Sequence, residues 1–273
     1  MIENVAPLPG PGNPADRRPI RAFPAYGTNG YNSYRSYYDG MSLSFDKQFS
    51  GGLLFNVNYT WSKSINYVDE LSEVIAGGSA LPTRANVRQF RGLAGWDTPH
   101  RVAASYYWVV PGKTASKAAN AFLSGWAVSG IFSLDSGLPY SARVNEDIAN
   151  IGSVPARVTQ FANLVGDPKA ISQRTPQQWF NRAAFAAAPA FTFGNAGRNT
   201  LRSNGLTVLN FASHKEFRIR ETMGLEFRAE FFNLLNQTTF GYPGWLVGTP
   251  QFGVVSSTRE SGRQMQLALR LKF

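Results

Sequence analysis

The sequence predicts an all-β fold: an antiparallel, up-and-down sheet of about seven or eight long strands, open and curved, of the type that spans a membrane as a segment of a β-barrel. Three observations predict it. In the last eleven residues, Arg263–Phe273, the apolar Met265, Leu267, Leu269, Leu271 and Phe273 alternate with Gln264, Gln266, Ala268, Arg270 and Lys272. An extended strand gathers all the large apolar side chains on one face, whereas a helix at ~100° per residue scatters them. A strand of this length exceeds the globular mode of roughly five or six residues and matches the 9–11 that a tilted strand needs to cross a bilayer. Second, short connections at 49–52, 111–123 and 219–224 alternate with long ones at 64–98, 137–205 and 236–262. Barrels of the outer membrane sort their connections in this way, with tight turns inside and long loops outside. Third, Trp61 falls at the long-loop end of its strand, while Trp108 and Trp126 flank a short turn. Those are the two levels at which aromatic side chains anchor a protein at the lipid interfaces. A soluble sandwich shares the alternation but has no reason to sort its loops by side.

Residues 1–33 are rich in Pro and Gly, as in Pro7-Leu-Pro-Gly-Pro-Gly-Asn-Pro14, and read as a loop segment preceding a barrel region, 34–273. The first strand is Tyr37–Gln48, and Ser50-Gly-Gly52 turns it into a second, Leu53–Lys63, with Phe55, Val57, Tyr59 and Trp61 opposing Asn56, Asn58, Thr60 and Ser62. A mixed connection follows, with a short helix expected near Val68–Ile75. Alternation resumes over His100–Val110 and, after a turn around Pro111–Asn120, over Ser124–Ser136. The connection 137–205 is too long for a compact soluble domain unless it has a function of its own. Leu206–Phe217 is the weakest strand by pattern, Leu225–Leu235 is stronger, and a Gly- and Pro-rich loop leads to the terminal strand.

Composition narrows the function classes. The chain has 273 residues and no cysteine, so disulfides, thiolate metal sites and cysteine nucleophiles are excluded. His100 and His214 are its two histidines, too few for a multi-histidine metal site, and no cofactor motif is present. The net charge of +10 is spread along the chain with no run longer than Arg17-Arg18, which argues against a nucleic-acid partner. Met1-Ile-Glu-Asn-Val lacks the character of a secretory signal, so an outer-membrane destination predicts that the true amino-terminus lies upstream.

Several words carry a more specific resemblance. Tyr59-Thr-Trp-Ser-Lys-Ser64, Ser124-Gly-Trp-Ala-Val-Ser-Gly-Ile-Phe-Ser-Leu-Asp-Ser-Gly-Leu-Pro-Tyr140, Trp179-Phe-Asn-Arg-Ala-Ala-Phe185, Phe193-Gly-Asn-Ala-Gly-Arg-Asn-Thr-Leu-Arg202 and Phe227-Arg-Ala-Glu-Phe-Phe-Asn-Leu-Leu-Asn236 occur in this order. Together they resemble the carboxy-terminal barrel of the OmpA-related (Oar-like) TonB-dependent receptors, from about residue 31 to the end. The resemblance implies a transporter of the bacterial outer membrane, driven by TonB, with a barrel of roughly 22 strands around a plug. Plug, TonB-contacting segment and signal peptide are not recognisable in the chain, which is therefore expected to be a fragment covering the last third of such a barrel. The partners implied are outer-membrane lipid, the barrel-assembly machinery acting on the terminal strand, the amino-terminal barrel and plug, and TonB indirectly.

On this reading Phe55, Val57, Tyr59, Leu267, Leu269 and Leu271 face lipid, and Trp61, Trp108, Trp126 and Phe273 mark the interfaces. Glu226, Arg228, Glu230 and Arg270 are lumen-facing candidates, with Arg218, Lys215 or Arg270 as partners for the two glutamates. Gly194-Asn-Ala-Gly-Arg-Asn199 and Gly241-Tyr-Pro-Gly-Trp245 in the long loops either contact a ligand or serve packing and turns. Two other classes remain in view. A small independent outer-membrane barrel or a secreted glycan-binding β-protein is one, the latter requiring the Phe55 and Leu267 faces to be covered by a second sheet. A hydrolase using Asp97, His100 and Ser105 is the other. Counting strands makes the first and last parallel, which predicts two unpaired edges and no ladder between 37–48 and 263–273.

Overall fold

The structure is a computed structural model and describes residues 8–22, 35–67, 87–112, 124–152, 160–220 and 222–273. Seven long strands follow one another in space as they do in sequence: β1 (Tyr37–Ser50), β2 (Leu53–Asn66), β3 (His100–Val109), β4 (Trp126–Asp135), β5 (Leu206–Arg220), β6 (Met223–Phe232) and β7 (Gln264–Lys272). Every neighbouring pair is antiparallel, and a short strand at Gly92–Leu93 adds to the upper end of β2, making an eight-stranded sheet. Gly51 and Gly52, with φ of 61° and 81°, form the tight turn between β1 and β2, a backbone that matches the twist of a hairpin and suits glycine. The helix expected near Val68–Ile75 and most of the Pro111–Asn120 turn lie outside the described residues.

The strand read as weakest, Leu206–Phe217, is the longest, with 15 residues. Its apolar side includes Ser213 and Lys215, which hide the alternation. Pairing decides it instead: Leu206–Lys215 runs in unbroken register with β4, and Phe211–Arg218 with β6, with a register shift before Arg220. Gly130 is needed inside β4, because a Cβ there would lie 2.7 Å from the Tyr106 ring and 2.8 Å from the Asn210 carbonyl.

The register sorts the side chains into two faces. One row joins Val57, Ala104, Phe132 and Leu209, and the second row beyond it joins Leu53, Trp108, Val128, Ser213, Ala229 and Leu267. On this face no charged residue stands among Met41–Phe45, Leu53–Trp61, Val102–Trp108, Trp126–Leu134, Leu209–Ser213, Leu225–Phe231 or Met265–Leu271, taken by alternate positions. The other charges of these strands fall on the opposite face, except Lys215 within β5 and, toward the ends of β1 and β2, Asp39, Lys47 and Lys63. Among the described residues no second sheet covers the apolar face: Leu267 and Leu269 are 70% and 69% exposed, contrary to what a soluble sandwich requires. The edges are free of each other as expected, β1 and β7 standing at opposite ends of the strand order with no ladder between 37–48 and 263–273.

Above the long-loop end, the connections build a folded cap with its own core. Tyr140, Val144, Trp179, Phe180, Phe185, Leu201, Phe252 and Val255 are buried together, with Phe240, Tyr242 and Trp245 packed against them. The rings of Phe180, Phe185 and Phe252 meet edge to face with centroids 5.0 to 5.9 Å apart. Short two-residue ladders, 143–144 with 160–161, 163–164 with 185–186, and 139–140 with 201–202, satisfy the backbone. The amino-terminal segment joins this cap: Asn150 donates to the Gly10 and Gly12 carbonyls at 2.9 and 2.7 Å, and Pro14–Arg17 forms one 3-10 turn.

Candidate functional site

The polar face of β5, β6 and β7 carries the densest chemistry. Successive strand residues point to opposite faces, so Glu226, Arg228 and Glu230 fall together, opposite Arg270, Ala268 and Gln266 of β7. Arg228 bridges Glu226 at 3.2 Å and Glu230 at 3.6 Å. Lys272 bridges Glu226 at 2.9 Å and Glu216 of β5 at 3.5 Å. The four expected lumen-facing residues therefore line one shallow recess, with Gln266 and Ala268 between them. The bridging cation missed from the sequence is Lys272, one register position diagonal to Glu226; its alternation with Leu271 and Phe273 was the signal. Lys215 cannot join the network, because it stands opposite Phe227 on the apolar face. Arg101 and Asp135, bridged at 2.9 Å, and the Ser44, Asp46, Asn56 and Asn58 hydrogen-bond chain continue the polar face across β1 to β4. Each of these exposed pairs is worth little by itself, so the face is a wall of many weak polar contacts rather than one strong site.

The other predicted residues take their places on the apolar side. Phe55, Val57, Tyr59 and Trp61 share it with Trp108, Trp126, Leu267, Leu269 and Leu271. Phe273 follows β7 and is 95% exposed. One position needs correction: Trp61 does not end its strand, since β2 continues to Asn66 under the cap. It is level instead with His100, the first residue of β3.

Asp97, His100 and Ser105 do not form a triad. His100 and Ser105 sit on one strand at positions that point to opposite faces. His100 Nδ1 is 2.9 Å from the Tyr59 hydroxyl, and Asp97 accepts the Ser64 amide at 2.6 Å and pairs with Arg202. Among the described residues no group of three or more His, Cys, Asp or Glu could hold a metal ion.

The loop word Gly194–Asn199 is a structural bolt. Arg198, buried, donates to the carbonyls of Phe90 at 2.7 Å, Asn66 at 2.6 Å and Gly92 at 3.0 Å, and Asn199 to that of Leu93 at 2.7 Å. Arg202 adds bonds to the Asp97 and Gly137 carbonyls at 3.0 and 2.9 Å. These arginines fasten the cap to the upper end of β2. Gly241–Trp245 likewise packs into the cap, Tyr242 edge to face with Tyr140 at 6.0 Å. Burial pushes the Tyr140 hydroxyl far above its ordinary pKa and raises that of Tyr242, so both stay neutral. Arg143 lies over the Phe161 ring at 4.9 Å, and burial, aided by the charge of Arg198, lowers its pKa to about 9, which leaves it cationic at neutral pH.

A sheet with a charge-free band on one face, ion pairs on the other and all long connections at one end is the architecture of a membrane barrel wall. Residues 2–266 match the outer membrane beta barrel domain family. The chain belongs to that family. Its place is the bacterial outer membrane, and membrane lipid is its surroundings. No curated protein and no solved structure matches the chain. Within this barrel domain, the loop words of the sequence resolve into architecture: Trp179, Phe180 and Phe185 build the cap core, and Arg198, Asn199 and Arg202 bolt it down. Asn233, at φ 52°, ties the top of β6 to Gln237 and Ser261 before β7.

Proposed function

We propose that the domain is the carboxy-terminal wall of a TonB-dependent outer-membrane transporter. In this reading Phe55, Val57, Tyr59, Leu267, Leu269 and Leu271 face lipid, Trp61 marks the outer interface, and Trp108 and Trp126 the inner one. Glu226, Arg228, Glu230 and Arg270 line the lumen against a plug domain, through which TonB acts. The barrel-assembly machinery engages the terminal strand ending at Phe273. The observation that carries this reading is the contrast between the faces: an uncharged band on one and the Glu216–Lys272–Glu226–Arg228–Glu230 network on the other. The span agrees with it, since the pairing from Leu53 to Trp61 takes in nine residues, within the roughly 9–11 that a tilted strand needs to cross a bilayer. Seven antiparallel strands leave edges running the same way, so completing an antiparallel barrel takes an odd number of further strands, as a 22-stranded wall does. A second copy in the same orientation cannot do it.

The test is made on the full gene product in outer membranes. A photocrosslinking residue at Gln266 should capture a globular plug, and one at Leu267 should capture lipid. In planar bilayers the same protein should show no open-pore conductance, because the plug fills the lumen. Steady ion conductance with no crosslink from Gln266 would make it an open porin and overturn the proposal.

A further inference from the structure

We infer that Lys215 is a headgroup site on the apolar face, binding the phosphate diester of an anionic phospholipid in the periplasmic leaflet. In register, Lys215 of β5 stands between Trp126 of β4 and Phe227 of β6. It is thus a cation on the face whose neighbouring rows carry no charge. The residue is 3% exposed, and its Nζ is cut off from solvent without a hydrogen-bond acceptor. The ammonium lies over two rings, 4.9 Å from the Phe217 centroid and 5.7 Å from that of Trp126. Trp126 is set edge to face against Phe227 at 6.0 Å and 83°.

Two facts fix the direction and the ligand. Phe217 is nearer than Lys215 to the short turn after Arg220, so the side chain reaches toward the turn side, as a snorkelling lysine does at an interface. Ring faces attract a cation but accept no strong hydrogen bond, leaving three N–H donors to be met by something else. The nearby carboxylates, Glu216 and Glu226, are on the opposite face and are engaged with Lys272. At this level of a membrane the available anion is a lipid phosphate, and Trp126 beside it is an interfacial residue by type. A headgroup meets the ammonium once the Lys215 side chain, enclosed between the rings as it stands, turns out past Phe217 toward the turn side.

This inference rests on the reading that the apolar face meets lipid, and the experiment separates the two. The full-length chain in detergent is titrated with short-chain phosphatidylglycerol and with phosphatidylcholine of the same chain length, and retained lipid is counted by native mass spectrometry. We expect phosphatidylglycerol to bind about fivefold more tightly, the size of one basic side chain at a lipid surface. Lys215→Met should abolish the preference, and Lys215→Arg should keep it. Equal binding of the two lipids, or a preference unchanged in Lys215→Met, overturns the site. Binding of glycerol phosphate as tight as that of the lipid shows a free-phosphate site and overturns the lipid assignment. Quenching of Trp126 fluorescence by chain-brominated lipid, read on a variant with the other tryptophans replaced by Phe, tests the lipid-facing reading separately. Quenching without a headgroup preference sinks the site alone, and absence of quenching sinks the reading beneath it.

Discussion

Asp97 and Arg202 carry the join between cap and sheet at the residue scale. The Asp97 side chain is fully enclosed, and it accepts the Ser64 amide at the top of β2 while pairing with Arg202. Removing the cation strands a buried carboxylate, which costs more than the net worth of the pair. Arg202→Met should therefore destabilise the cap by about 3 to 5 kcal/mol, seen as new protease cleavage within 136–205 in folded protein in detergent. Unchanged cleavage would show that the Arg198 bonds hold the cap alone. Gly130→Ala tests the close approach in β4. The added methyl meets the Asn210 carbonyl of β5 as well as the movable Tyr106 ring, so a loss of about 1 to 3 kcal/mol in denaturant unfolding is expected.

At the scale of elements, the long loops hold a core built from their own side chains. Phe180 is the ring shared by the Phe185 and Phe252 contacts. Phe180→Ala should cost the cap about 3 to 5 kcal/mol, while the far-UV circular dichroism of the long strands persists in detergent. Simultaneous loss of strand signal would mean that cap and sheet fold as one unit. The aromatic content of 137–205 was legible, but its use was not. Trp179, Phe180 and Phe185 have neither the period of a strand nor that of a helix, and their meeting with Phe252 from the following loop is a long-range contact. The ligand-contact alternative for Gly194–Asn199 had no local feature against it. Only the carbonyls of Asn66, Phe90, Gly92 and Leu93, far away in sequence, show what Arg198 and Asn199 are for.

For the whole molecule, the two faces and the two edges set what the domain can do. If the apolar face meets lipid, Phe132→Arg should cost about 2 to 4 kcal/mol of stability in bilayers, and Ser133→Arg, on the polar face, far less. Equal costs would mean that both faces see the same solvent. The edges can be probed directly, because the chain has no cysteine of its own. Leu43→Cys with Tyr59→Cys, directly opposite in register, should form a disulfide on oxidation, whereas Leu43→Cys with Leu267→Cys should not within one chain. An intramolecular 43–267 disulfide would reveal a closed form.

Alternation at period two is a local property, so the sequence by itself determined the strands, their two faces and the candidates Phe55 to Trp61, Leu267 to Leu271 and Glu226 to Glu230. Order along the chain also determined the topology, since neighbours joined by short turns pair with each other. What only the tertiary structure decided depends on contacts between distant residues. It decided the full length of β5, whose pattern Ser213 and Lys215 obscure, and the choice of Lys272 as bridge to both Glu216 and Glu226. It separated His100 from Ser105 and spent Asp97 on a backbone amide and Arg202. It also turned the long loops into a cap, because burying rings from several connections together stabilises a core that no one segment can form.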